Sequence, residues 1–469
     1  DENGNLAEKS ILCDAKHAHY KTLRYGYRRN GSLQWEEDAE GNRTEYYFST
    51  LEDPEDSQFV PRVCISPQGY EFRHSYDKIG RRIRTETVQG ITEYRYNGLH
   101  YVSSIKDPEG NVKREERDNL GNLIRKYSGR QSGGRTSSVG YSYRYDYLDR
   151  LIWVRDPLGR EKTFIRDGRG NVLRESLLAK RTIPETAVPE IRSTYDANDH
   201  LLETIYPDGG IWKEKHDAEG CLVTEEMPDQ NVVHTVYDSM DRILKQTGTD
   251  GKTIREYEYD LKGNVIREVD ALGQDKCFRY DEAGRMTGVW EYVSPDEYRV
   301  TFYKYDDMDH VTEEKRGLHG VGKFEIPTRY LTIKKTYDKE GRLVTVSDMS
   351  GAQMQYTYDM MNNRTSETAV IDDRGTQRTV YYRYDKNGRL VEKKEDAGDK
   401  TLSVTAYTYD ASDNLTGVTL PEGGKIFLVY DEAERLIYKL EREDRHHILR
   451  GIRYTYAAVS YTHLTLPTT

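Results

Sequence analysis

A short phrase returns along the whole of this chain: Tyr-Asp, two variable residues, then Gly or a polar stand-in. It stands at Tyr76-Asp77 (closing on Gly80), Tyr145-Asp146, Tyr195-Asp196, Tyr237-Asp238, Tyr259-Asp260 (Gly263) and Tyr280-Asp281 (Gly284). It continues at Tyr305-Asp306, Tyr337-Asp338 (Gly341), Tyr358-Asp359, Tyr384-Asp385 (Gly388), Tyr409-Asp410 and Tyr430-Asp431. Degenerate copies replace the tyrosine at Arg117-Asp118, Arg166-Asp167 and His216-Asp217. The steps 145 to 166, 195 to 216, 216 to 237, 259 to 280, 337 to 358 and 409 to 430 are all 21 residues, and longer gaps such as 305 to 337 read as one repeat plus a loop. Self-similarity at a fixed period decides the architecture before any other feature does. This is a repeat protein.

Each repeat has a physical reading. Tyrosines precede the Asp at alternate positions, as in Tyr141, Tyr143 and Tyr145, or Tyr382 and Tyr384. A spacing of two places them on one face of a strand, and tyrosine is a strong strand former. The Asp then opens a turn, because its carboxylate accepts backbone N–H groups just ahead of it. Glycine at the close tolerates the positive φ of a bulged hairpin end. That register sets Tyr259 across from Val265, Tyr337 across from Leu343 and Tyr384 across from Leu390. A second turn signal follows about ten residues later, at Asp107-Pro108-Glu109-Gly110, Asp156-Pro157-Leu158-Gly159 and Asp270-Ala271-Leu272-Gly273. A repeat is therefore two antiparallel strands and two turns.

The runs Tyr337-Asp338-Lys339-Glu340-Gly341-Arg342-Leu343 and Tyr384-Asp385-Lys386-Asn387-Gly388-Arg389-Leu390 resemble the YD repeat of the Rhs family, which bacterial toxin-complex subunits and teneurins share. The resemblance covers about residues 20 to 456. It implies an all-β fold in which a YD-repeat antiparallel sheet spirals into a hollow shell, a β-cocoon, here expected to be incomplete at both ends. In bacterial relatives such a shell encloses the protein's own C-terminal toxin domain. The Rhs core that carries the self-cleaving aspartates, and the toxin domain, are expected downstream of this fragment.

Composition agrees with a wall. At about 21 residues per repeat the chain holds roughly 22 repeats and on the order of 40 strands. At about 4.8 Å per strand a flat sheet would be nearly 200 Å wide, and twisted sheets curl long before that. Hydrophobic residues make up 35% and charged residues 32%, with 39 tyrosines against 8 phenylalanines. Tyrosine packs its ring while its hydroxyl meets water or a polar neighbour, which suits a sheet wet on both sides. So polar a chain also invites disorder. The phased turns and abundant tyrosine argue against it.

Other functions find little support. A net charge of −11 with interspersed signs lacks the basic stripe of a nucleic-acid binder. Arg285, Arg342 and Arg389, each following a turn glycine, read as partners of nearby carboxylates. No run of 18 apolar residues suggests a membrane-spanning helix. Cys13, Cys64, Cys221 and Cys277 have neither metal nor redox spacing and read as small wall residues. Gly251-Lys252-Thr253 lacks the earlier glycine of a phosphate loop, which falls at Gln246, and Gly317-Leu318-His319-Gly320-Val321-Gly322 has glycines in the wrong order for a dinucleotide site. His17, His19, His446 and His447 lack a third ligand at suitable spacing. The turn aspartates are explained by turn chemistry without calcium. No catalytic, cofactor or metal site is expected.

The repeats read as one array over 1–456, with loop insertions near 51–69, 128–140, 179–190 and 317–327. Residues 457–469 depart from it: Val459 to Thr469 is uncharged and is similar to a translated sequencing adapter. The resemblance implies a shell segment of an Rhs-type toxin, secreted or at the bacterial surface, whose guest is the parent's own C-terminal domain. Contacts with a secretion apparatus or cell wall are possible partners in that setting. A surface adhesin stacking glycans on exposed tyrosines is the alternative.

Overall fold

The computed structural model describes residues 1–14, 18–49, 60–127, 131–132, 135–136, 140–176, 178–180, 188–317, 320–370, 376–396, 402–443, 448–456 and 459–460. Among them all 42 regular elements are β-strands, and there is no helix. The chain forms two compact units, one of Asp1–Glu93 with Tyr257–Ala406, the other of Tyr94–Glu256 with Tyr407–Thr469.

In the first unit, successive strands from Glu8–Asp14 to Arg82–Thr87 pair antiparallel with their sequence neighbours. So do those from Val265–Val269 to Leu390–Asp396. In the second unit the same meander runs from Val102–Lys106 to Leu123–Tyr127, which pairs with Gly140–Tyr145, and on to Ile243–Thr247. It resumes from Leu415–Thr419 to Ile448–Arg453. A meander alternates its turns between two rims, so every Tyr-Asp turn falls on one rim and every intervening turn on the other.

The local sequence explains the register. Tyr337 lies opposite Leu343 and Tyr384 opposite Leu390, each with a bulge immediately before the tyrosine. The Asp338 N–H donates to the Arg342 carbonyl (2.9 Å), and the Gly341 N–H donates to the Asp338 carbonyl (2.9 Å). This is a tight turn closed by a residue at positive φ. Gly263, Gly284, Gly341 and Gly388 have φ of 90°, 83°, 74° and 77°. Where glycine is missing, Asp149, Asp199, Asp241, Asp309, Asn362 and Asp413 take that position with φ between 59° and 69°, and Glu434 does so at 62°; Asp and Asn tolerate this left-handed conformation best after glycine.

Burial alternates along the strands. In Glu71–Tyr76 the residues sharing the tyrosine's face are half-buried and the others exposed. Deep apolar burial is scarce. Among the described residues the one cluster of buried side chains is Cys277, Trp290, Tyr298 and Val300. Of the four insertions, 51–59 and 181–187 lie outside the described residues. The 128–140 segment contains a small hairpin of Gln131–Ser132 and Arg135–Thr136. The 317–327 segment, described from Gly320, folds back over the buried cluster. In the non-repeat tail, Val459–Ser460 pairs antiparallel with Leu178 and Ala179.

Candidate functional site

The Tyr-Asp phrases are the feature from which this molecule's working parts are built. In most of these turns one oxygen of the Asp carboxylate accepts backbone N–H groups and the other accepts the side chain that closes the turn. Asp338 Oδ1 takes the N–H of Glu340 (2.9 Å) and of Arg342 (3.0 Å), while its Oδ2 takes Arg342 Nε (2.8 Å). Asp146, Asp238, Asp281, Asp385 and Asp431 repeat this with Arg150, Arg242, Arg285, Arg389 and Arg435. Asp260, Asp359 and Asp410 do so with Asn264, Asn363 and Asn414, and Asp196 and Asp306 with His200 and His310. Asp77 accepts Arg81 in the same way. Hydrogen bonding to Arg150 and Arg242 holds the Asp146 and Asp238 carboxyls below the usual range. The arginines thus pair with the carboxylate of their own turn.

The tyrosine reaches backward. Its hydroxyl donates to the backbone carbonyl of the residue that opens the return strand of the preceding repeat. Tyr145 bonds Leu123 (3.0 Å), Tyr195 Val172 (3.3 Å), Tyr237 Leu222 (2.9 Å), Tyr280 Val265 (2.8 Å) and Tyr305 Met286 (2.6 Å). Tyr337 bonds Val311 (2.9 Å), Tyr358 Leu343 (2.8 Å) and Tyr384 Arg364 (2.9 Å), while Tyr76 reaches Pro61 (2.9 Å). Burial pushes phenols such as Tyr280 and Tyr337 upward, which keeps them protonated donors. The turn arginine reaches forward. Arg285 and Arg342 donate through Nη1 to the carbonyls of Asp306 (3.0 Å) and Asp359 (2.7 Å) in the next turn. Their guanidinium carbons lie 5.0 Å from the ring centres of Tyr305 and Tyr358, a cation–π distance. Neighbouring repeats are thereby linked twice at one rim, beyond the sheet's own hydrogen bonds.

Departures from the phrase show which parts matter. Arg166, in a tyrosine's place, still donates to Leu151's carbonyl (3.3 Å). Asn97 builds the same turn with no aspartate, accepting Leu99 and Tyr101 N–H groups at 3.0 Å, with His100 at φ 68°. The sequence reading missed this turn, although Tyr96 stands 21 residues before Arg117. Between Asp196 and Asp217 both partners are histidines. His200 and His216 stack at 4.7 Å and 22°, and His216 Nδ1 is buried with no hydrogen-bond partner.

One patch is built differently. Asp275 is 6% exposed and accepts Tyr298 Oη (2.5 Å), Arg267 Nε (3.1 Å) and Lys323 Nζ. Burial raises its pKa, but the bonds from Lys323, Tyr298 and Arg267 more than reverse that and leave it below the usual range. The Tyr298 phenol is pushed up to about 12, by burial and by its bond to that carboxylate. Lys323 belongs to the insertion, which is tied down by reciprocal backbone bonds between Tyr298 and Val321 (2.7 and 3.1 Å) and by Trp290 Nε1 donating to Glu325's carbonyl (3.0 Å). Phe324 packs edge-on against Trp290 at 5.6 Å. The insertion expected to be a plain loop is a cap.

Within each unit the two rims also meet. In the first, Lys21 pairs with Asp309 (2.5 Å), His19 with Asp307 (3.1 Å), the Gln68 N–H donates to Glu340 (3.2 Å), and Gln89 reaches Asp359 (3.4 Å). In the second, Lys113 pairs with Asp413 (3.3 Å) beside a cleft of about 290 Å³ lined by Lys126, Tyr127, Tyr141, Pro157, Ser412 and Glu434. In every case a Tyr-Asp turn sits on the opposite rim of strands 270–300 residues earlier.

Among the described residues no group of three His, Cys, Asp or Glu side chains could hold a metal. His17, His319, His446 and His447 lie outside those residues, and Gly251-Lys252 is a turn running into the strand Thr253–Tyr259. Cys13 and Cys277 are buried, Cys64 and Cys221 half-buried, all as free thiols.

The teneurin YD-shell family matches residues 161–324, and the RHS repeat family matches 337–377 and 384–425. A probable deoxyribonuclease RhsA of Dickeya dadantii is 27% identical over 272 residues, which is 56% of this chain and 16% of that protein. Mouse teneurin-4 is 24% identical over 264 residues, 50% of this chain and 9% of that one. A crystal structure of TcdB2-TccC3 without its hypervariable C-terminal region superposes with a TM-score of 0.50 at 14% identity, covering 94% of this chain and 25% of that chain. At that identity it speaks for the fold alone. The chain spans a sixth or less of the length of these two curated relatives.

Proposed function

Because this chain is a member of the Rhs/YD-repeat family, we propose that it is a wall segment of a toxin shell, with the catalytic work left to a domain outside these residues. The supporting observation is the recurrence of rim contacts at 270–300 residues of separation in each unit. Within each unit the later turns seat on the rim of the earlier strands, as layers of a shell wall would. The mixed charge and half-buried tyrosine rings give that wall two wettable faces, suited to holding a guest without gripping it. The array proper runs over 1–456, and the repeated Tyr-Asp turns are its structural sites.

In this reading the guest is the parent protein's own C-terminal domain, kept from its target until delivery out of the producing bacterium. The test is co-expression of that domain with the complete shell. Protection from protease and masked toxicity are expected. A guest that stays protease-sensitive and active, together with tight glycan binding by the purified array, would favour an adhesin instead.

A further inference from the structure

The copies of the phrase that replace its tyrosine share a chemistry: Arg117, Arg166 and His216 all carry, or can take up, a positive charge. The two arginines show what a cation does in that place. Each donates through Nη1 to the carbonyl four residues on, Arg117 to Gly121 (3.0 Å) and Arg166 to Gly170 (2.7 Å). A second N–H of Arg117 reaches the carboxylate two residues back, Glu115 (3.0 Å), and a second N–H of Arg166 reaches the Leu151 carbonyl (3.3 Å). His216 has the same groups at the same offsets: Glu214 two residues back, the Gly220 carbonyl four residues on, and the Leu201 carbonyl. It makes little use of them. Its side chain is 12% exposed, Nε2 lies 3.6 Å from Glu214 Oε2, and Nδ1 is buried with no partner. A separation of 3.6 Å is too long for a hydrogen bond. A neutral imidazole has a single N–H, whereas the charged ring has one on each nitrogen.

We propose that His216 makes this joint a pH-operated one. When its ring takes up a second proton it links the two repeats as the arginines link theirs, and when the proton leaves the link is lost. Nε2–H then closes on the Glu214 carboxylate, and Nδ1–H becomes a donor for the backbone carbonyls that serve Arg117 and Arg166. The surrounding charges favour the exchange. Glu225 stands directly opposite Glu214 on the next strand, and burial and the Glu214 charge hold its carboxyl above the usual range. A cation beside these two acids relieves their repulsion. Glu225's own charge costs stability above its folded value and ceases to as pH falls, which acts in the same direction. Asp196 and Asp217 head the two flanking turns. Lys213 and Lys215 lie on the exposed side of the strand, Lys213 opposite Glu203 and paired with Glu226 (3.5 Å). The opposing group is His200, stacked on His216 at 4.7 Å. Two charged rings at that distance repel, so a proton on one makes a second harder to add. His200 already has its bond as a neutral ring, with Nδ1 donating to Asp196 (3.0 Å); His216 is the ring with a bond to gain. The inference stands on this joint and not on whether the wall encloses a guest, so the two can fail separately.

The experiment is hydrogen exchange on the purified chain at about pH 8 and about pH 5.5, the span over which imidazole ordinarily titrates. It is read as protection factors, from which the intrinsic pH dependence of exchange is removed. Protection in Leu201–Ile205 and Ile211–His216 is expected to rise about tenfold at the lower pH, the worth of one charge-assisted bond. Leu343–Asp348 and Gln353–Tyr358, joined by the Tyr358 hydroxyl, should not change. His216→Arg should give the high value at both pH values and His216→Phe the low one. His200→Asn, which closes its turn as Asn264 does, and Glu225→Gln should each keep the response. A joint that is unchanged or looser in acid would overturn the proposal. So would a response shared equally by the Tyr358 joint, one that survives in either His216 variant, or one lost in His200→Asn or Glu225→Gln.

Discussion

Strands Tyr330–Tyr337 to Leu390–Asp396 and strands Asp275–Tyr280 to Glu297–Tyr305 are built on the same hairpin register, yet they are held by different forces. The first stretch is a plain wall. Its residues are half-buried at best, and its repeats are tied by tyrosine hydroxyls and turn arginines at one rim. The second has the same ties plus a cap, which buries Trp290 and Val300 completely and closes over a carboxylate with three donors. The wall shows that many small polar links can hold a sheet with almost no core. The cap shows what conventional burial adds when one insertion brings chain to an otherwise open face.

That contrast can be broken at several points, and the capped patch should respond most. Trp290→Ala removes the largest fully buried side chain and should cost about 3–5 kcal/mol locally. Hydrogen exchange in Met286–Ser294 and Glu297–Tyr305 should accelerate accordingly, with little change in Gln377–Tyr384. Asp275→Ala leaves Arg267, Lys323 and Tyr298 facing a buried gap and should cost about 3 kcal/mol, read as early protease cleavage within 320–327. The same carboxylate sets a pH dependence. Its pKa is lower folded than unfolded, so its contribution is present above the ordinary value near 4 and is lost as pH falls through the folded value. Cap protection should therefore fade below about pH 4, and Asp275→Asn should abolish that fading.

Changes in the wall should be smaller. Tyr337→Phe deletes one hydroxyl–carbonyl bond and should cost about 1 kcal/mol, seen as faster exchange at the joint with Val311–Gly317. Gly341→Ala forces a Cβ into positive φ and to 2.8 Å from His310 Nε2, for a similar cost of about 1 kcal/mol. The reverse experiment is available at the histidine joint. His216→Tyr supplies a hydroxyl within the pattern that would donate to Leu201's carbonyl, and should stabilise that joint by up to about 1 kcal/mol.

What could be read from sequence follows the range of the forces involved. The turns were legible because an Asp, its closing side chain and a residue tolerant of positive φ lie within a few positions of one another. The cross-strand partners of Tyr337 and Tyr384 followed from that geometry. The Asn97 turn escapes a pattern built on Asp, although Asn offers the same acceptor oxygen. The tyrosine's bond to the preceding repeat was invisible because a carbonyl has no signature in sequence. The cap over Asp275 was missed for another reason: Lys323 and Phe324 lie in a glycine-rich stretch that looks like filler, and their partners are contributed by strands up to 48 residues away. Rim seating such as Lys21 on Asp309 is set by how far the sheet travels before returning, and no local pattern encodes it.

The backward bond of the tyrosine has a bearing on how such chains change over generations. Its acceptor is main chain, so Val265, Met286, Leu343 and Arg364 serve equally well. The backward half of a joint is therefore specified by the later of the two repeats, and the forward half, where a turn arginine reaches the next turn's carbonyl, by the earlier one. A repeat that is duplicated, deleted or exchanged by recombination brings its own donor and finds a ready acceptor in whatever stands before it. Copy number can drift without any interface having to be reinvented, and the length of the array becomes a quantity that selection can adjust one hairpin at a time.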